Sequence, residues 1–224
     1  MKMSLKTLLF AIFASIAIAV ARFIGQVQGW IPAASGGSLH PLGVSWLPFV
    51  FGPMFAAQLA RSGSVPRTRF ASVVAIVGVL SIVALTMWQF RHLADAPPDR
   101  YAPEATKEAE NVAFQTIFFA TLVLAAVHCA TWWRLALALI CYAVPVRVTV
   151  IILTAIAKQM ECDTHYTKFG PAGEEFGLAT TLTTASIAQL GFWVPFAVVC
   201  GFATGSFFGR RRGEGFQAAA TLPL

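Results

Sequence analysis

The chain has 224 residues, 57% of them hydrophobic and 12% charged, with a formal net charge of +6. A soluble domain carries roughly 25% charged residues, so this composition excludes an ordinary water-facing globule. The basic balance has a topological explanation, given below, and calls for no nucleic-acid partner.

A membrane span needs about 20 mostly apolar residues. Runs of about that length fall at residues 5–21, 45–60, 70–90, 112–130, 135–157 and 189–208. None shows the polar face that a surface helix of a soluble protein needs. The expected fold is therefore all-α: a polytopic bundle of about six transmembrane helices forming a single domain over residues 1–224. Its first partner is the lipid bilayer.

The first run follows Lys2 and Lys6 and ends at Ala19-Val20-Ala21. That pattern resembles a secretory signal with a small-residue cleavage site. A retained first span is the expectation, and a cleaved leader is the alternative. The loop that follows contains Ser35-Gly36-Gly37-Ser38 and Pro41 and reads as irregular backbone. In the second run, Pro48, Gly52 and Pro53 suggest either a short packing helix or a broken helix of the transporter kind. After the third run, prolines 97, 98 and 103 interrupt the loop, and residues 104–110 form a short surface helix leading into the fourth. Trp132, Trp133 and Arg134 mark a tight turn between the fourth and fifth.

The last segment carries no charge from Phe176 to Phe208, too long a stretch for one crossing. An interfacial helix over residues 174–187, beginning at Glu174 and Glu175, followed by the sixth span, is one reading. A tilted sixth span starting near Thr183 is the other. Residues 46–49 and 193–196 read Trp-Leu-Pro-Phe and Trp-Val-Pro-Phe, and both open a span running in the same direction. Interfacial tryptophan and first-turn proline are each favoured independently, which explains the likeness without duplication.

Charge orients the bundle. With six spans and a cytoplasmic amino terminus, one side carries Lys2, Lys6, Arg61, Arg67, Arg69, Arg134 and Arg210 to Arg212, against Glu214 alone. The other carries Arg22, Arg91, Arg100, Lys107, Lys158 and Lys168 with nine acids. The positive-inside rule then puts both termini in the cytoplasm. The expected location is the cytoplasmic (inner) membrane of a bacterium.

Arg147 is the one Lys or Arg well inside a run, near the middle of the fifth. A cation there costs roughly 2.5–3.5 kcal/mol on insertion scales, and no Asp or Glu falls within any of the six runs. Pro145 frees the carbonyl of Cys141. Helical side chains lean toward the amino terminus, so that carbonyl and Tyr142 are expected partners, with Gln58 and Gln189 as polar neighbours from other spans. The functional reading makes Arg147, Tyr142, Gln58 and Gln189 a binding site for an anionic or polar solute in a transporter-like protein. The structural reading makes Arg147 a packing lock.

The stretch around Cys162, Asp163 and His165, with His40 and His92 in other loops of the same side, offers weak metal-ligand candidates whose spacing matches no metal signature. On these a membrane enzyme with an outer-face metal site would rest. Gly201, Gly205 and Gly209 form a small-residue helix face suited to close packing, either within the chain or against a second copy or other membrane-complex partner. Pro145 belongs with them as a packing determinant. A non-catalytic accessory subunit is thus the alternative function. No catalytic motif and no cofactor-binding signature is present, so an enzyme is not the expectation and no cofactor is assigned.

Overall fold

A computed structural model describes residues 3–33, 40–68, 70–94, 103–167 and 176–220, with side chains described there except at 90, 92–94, 103–107, 109–110 and 208–220. The described residues with regular structure are all helical. The helices are α1 (Leu5–Val27), α2 (Leu47–Arg61), α3 (Ala71–Ala94), α4 (Pro103–Thr131), α5 (Trp133–Gln159), α6 (Leu178–Ser186) and α7 (Val194–Ala220), with a π-helical segment, Ile187–Trp193, joining the last two. Five helical stretches are long and apolar enough to cross a membrane: Leu5–Val27, Ala71–Gln89, Asn111–Thr131, Trp133–Gln159 and Leu178–Phe207. Their outward faces carry Val73, Ile76, Leu80, Val83 and Met87 on α3, and Phe119 and Val123 on α4, all exposed. In water such a patch would be a liability; against lipid it is the expected surface.

Several elements are longer than their apolar runs suggest. α1 continues six residues past Ala21, carrying Arg22 and Gln26 inside the bundle instead of releasing them to a loop. Residues 104–110 are not a separate surface helix but the first turns of α4. Of the 174–187 helix, one of the two readings of the last segment, the described part is α6 (Leu178–Ser186), which continues into the π segment without a break. From Leu178 the chain is helical without interruption to Ala220, and Glu174 and Glu175 lie outside the described residues. α2 has only 15 residues and runs unbroken through Pro53. At 1.5 Å per residue that is about 22 Å, short of a 30 Å hydrocarbon core.

Hydrogen bonds sort the loops into two ends. At one, the Ser4 backbone N–H donates to Gln58 Oε1 at 3.2 Å, and Gln58 also bonds Thr7, tying the start of α1 to the end of α2. At the same end of α2, Arg67 N–H donates to the Thr131 carbonyl at 2.8 Å and Trp132 Nε1 to Ser64 Oγ at 3.0 Å. Those bonds seat the α2–α3 loop on the one-residue joint between α4 and α5. At the other end, the α5–α6 loop meets the end of α1 through His165 and Tyr166.

α5 is the central helix. Its buried residues come in pairs at helical spacing, from Leu135-Ala136 through Leu139, Tyr142-Ala143 and Val146-Arg147 to Leu153-Thr154. α7 passes between α5 and α2 on its glycine face. A Cβ on Gly52 would lie 2.1 Å from the Gly201 carbonyl oxygen, and one on Gly201 would lie 2.3 Å from Leu139 Cδ2. Gly205 sits against the Gly52 carbonyl, Leu135 and Ala56. The small-residue face is therefore occupied within the chain at Gly201 and Gly205, where α2 and α7 backbones touch.

Because backbone faces backbone at this crossing, Gly52→Ala should destabilise the protein by about 1–3 kcal/mol or more. Gly177→Ala, where an added Cβ meets nothing within 4 Å, should cost less than about 1 kcal/mol. Thermal unfolding of the detergent-purified variants checks the difference.

Candidate functional site

Arg147 is the fifteenth of the 27 residues of α5 and is 4% exposed. Its Nη1 donates to Gln189 Oε1 and its Nη2 to Ser45 Oγ, each at 3.3 Å. Its guanidinium carbon stands 4.9 Å from the centre of the Trp193 ring. Three elements thus converge on one cation: α5, the residue two before α2, and the π segment, which supplies both Gln189 and Trp193. π turns are rare and concentrate at functional sites.

The energies are commensurate. A desolvated cation–π contact contributes about 2 kcal/mol, and hydrogen bonds to a charged group about 1.5 kcal/mol or more each. At 3.3 Å both bonds are longer than the 2.9–3.0 Å mode. Together they are of the size needed to offset a midplane insertion cost of roughly 3 kcal/mol.

Of the expected partners, only Gln189 meets the arginine. The apolar run begins at Gln189, but helix begins at Leu178, eleven residues earlier, so Gln189 is buried inside the bundle. Tyr142 is engaged elsewhere. Its hydroxyl bonds Ser15 of α1 at 2.8 Å, and its ring packs on Phe51 and Phe55. Gln58 is at the far end of α2 with Ser4 and Thr7. No bond from Arg147 to the Cys141 carbonyl accompanies the two side-chain bonds; the side chain reaches the elements of the opposite end. The likeness between residues 46–49 and 193–196 acquires a location here. Ser45 precedes the first and Trp193 opens the second, and both touch Arg147.

A second buried group lies beside the first. Arg22 is 2% and Gln26 4% exposed. Gln26 Oε1 bonds His165 Nδ1 at 2.7 Å, Tyr166 Oη donates to the Ala19 carbonyl at 3.2 Å, and Tyr166 packs edge-on against Phe23. Burial pushes the Tyr166 hydroxyl up to about 12, while the positive charges of Arg22 and Arg147, both within electrostatic range of it, pull the other way. Among the described residues, Arg22 and Arg147 are the buried Lys or Arg side chains, and no Asp or Glu is buried.

The apolar run ends at Ala21, one residue short of Arg22, so hydropathy alone leaves the Arg22 group in a loop. A usable signal was present. Ala11, Ser15, Ala19, Arg22 and Gln26 recur at spacings of three and four, and small or polar residues in that pattern mark the protein-facing side of a span. The metal-ligand candidates do not assemble. Among the described residues, no three His, Cys, Asp or Glu side chains come close enough to hold a metal. His165 is turned onto Gln26, His40 Nδ1 accepts from the Leu42 N–H, and Cys162 lies over the Met160 carbonyl. The His92 side chain falls outside the described residues.

Burial, reinforced by Arg22 and His40, lowers His165 to about 3, from an ordinary 6.5. The unfolded chain then binds a proton between those values that the folded chain refuses. Stability from this group is complete above about pH 6.5 and is lost as pH falls toward 3. The thermal midpoint should therefore fall between pH 7.5 and 4.5, and His165→Gln, which cannot titrate, should flatten that slope.

Compared with protein-family models, curated proteins and solved structures, the chain matches none.

Proposed function

We propose that the chain is a non-enzymatic, transporter-like membrane protein that binds an anionic or polar solute at Arg147. In this reading α2 completes a sixth crossing, both termini are cytoplasmic, and the π segment is the element that yields when solute enters. The observation that carries it is a buried guanidinium whose partners among the described residues are neutral, two long hydrogen bonds and one ring face. An anion satisfies a guanidinium better than a neutral amide or hydroxyl does, because charge-assisted bidentate pairs are shorter and about twice as strong. Ser45 and Gln189 are then partners that a solute displaces or joins. The one-sided distribution of Lys6, Arg61, Arg67 and Arg134 supports the orientation.

A second reading has one observation in its favour: Arg147 ties α5 to the chain just before α2 and to the π segment, as a packing lock would. The chain would then be an accessory subunit of a larger membrane complex, and mild-detergent purification from its native membrane would recover it with other chains.

Arg147→Gln separates the two. The purified protein should gain thermal stability, saturably, from at least one member of a panel of sodium salts (phosphate, sulfate, acetate, chloride). A concentration of 100 times Kd should add about 2.7 kcal/mol. The variant should fold and lose that response. No response from the unaltered protein to any solute, or an equal response from the variant, would show that Arg147 binds nothing.

A further inference from the structure

At the end of the bundle where α1 starts, α2 stops and α5 starts, a groove of about 580 Å³ opens on the surface. Leu8 of α1, Leu59 of α2, and Leu137 and Cys141 of α5 form its walls, and Trp133 and Arg134 stand at its mouth. Its lining is almost entirely apolar apart from Arg134, whose guanidinium carbon lies 5.5 Å from the centre of the Trp133 ring. Both mouth residues are exposed. Arg134 and Cys141 are seven residues apart on one helix, so the groove extends about 10 Å from the arginine into the apolar length of α5.

The surrounding charge is of one sign. Lys6, Arg61 and Arg67 are exposed on the elements at the same end. No Asp or Glu occurs before position 95 or between 111 and 160, the stretches that build the groove and its neighbouring loops. An apolar slot running along the span, closed at the interface by a guanidinium and an indole, has the chemistry of a lipid with an anionic head. The acyl chain takes the slot, the phosphate takes Arg134, and the Trp133 ring sits at headgroup depth where amphipathic rings are favoured. Basic clusters beside spans attract anionic lipid in the same way.

We infer that the groove between α1, α2 and α5 is a binding site for an anionic phospholipid, with its phosphate on Arg134 and an acyl chain against Leu8, Leu59, Leu137 and Cys141. The site is separate from the Arg147 cluster and does not depend on its function. A zwitterionic lipid offers the same chain but a head with no net charge, so selectivity between the two reports on Arg134. Inorganic phosphate offers the charge but no chain, so it reports on the slot.

The test uses the full chain in a neutral detergent, titrated with dioleoyl phosphatidylglycerol and, separately, dioleoyl phosphatidylcholine, with native mass spectrometry reading bound lipid. The expected result is at least a fivefold preference for phosphatidylglycerol, not competed by 10 mM inorganic phosphate. Arg134→Gln should remove the preference while leaving phosphatidylcholine binding unchanged. Leu137→Trp, which fills the slot, should weaken both lipids, and Arg67→Gln should leave the preference in place. Circular dichroism and a monodisperse elution confirm that each variant is folded. Equal binding of the two lipids by the unaltered chain, an unchanged preference in Arg134→Gln, or competition by inorganic phosphate would overturn the assignment.

Discussion

A guanidinium buried at the middle of α5 organises the half of the bundle around it. Burying a charge is tolerated only when it is paired or hydrogen-bonded, and no buried Asp or Glu is present among the described residues to pair with it. Arg147 is satisfied instead by collecting neutral groups from distant parts of the chain: Ser45, 102 positions earlier, and Gln189, 42 later. Trp193 supplies the ring face. These contacts fix where the chain must stand just before α2 and where the last helix carries its π turn. The positive charge of Arg147 also reaches Tyr166, which pins the α5–α6 loop to α1.

Close packing on the other side of α5 makes that arrangement reachable. Gly52 and Gly201 let α2 and α7 approach until backbone meets backbone, and Leu139 fills the space beside them. A Cβ at Gly52 would strike the Gly201 backbone and force α2 and α7 apart, and one at Gly201 would strike Leu139 of α5. Tyr142 performs the matching task toward α1, with its ring against Phe51 and Phe55 and its hydroxyl on Ser15. In lipid the hydrophobic effect does not drive helices together, so small-residue contacts and side-chain hydrogen bonds such as these hold a bundle.

The all-helical fold with long apolar helices was legible in the sequence because it rests on a strong, local signal, and Arg147 stood out as a charge inside one of the apolar runs. Gln189 was legible as a polar residue in the last run. Ser45 was not, since nothing local distinguishes it from other loop serines. Arg22 and Gln26 were hidden by a hydropathy boundary, because the run ends at Ala21 while the helix continues for six residues against protein. Among the described residues the metal-ligand candidates stay apart for the opposite reason. Proximity in sequence suggested a cluster, but His165 is drawn inward to Gln26 while Asp163 remains exposed. Partner choice at Arg147 was missed because Tyr142, its near neighbour on α5, had a better partner in Ser15 on another helix.

The most direct measurement of the central claim, that Arg147 is a solute-binding cation, is anomalous diffraction from crystals of the protein grown in bromide or selenate. Anomalous density within hydrogen-bonding distance of the Arg147 guanidinium, with Gln189 or Ser45 displaced or sharing the anion, is the predicted result. Density elsewhere only, with Arg147 still closed on Ser45, Gln189 and Trp193, would contradict it and leave the arginine a lock.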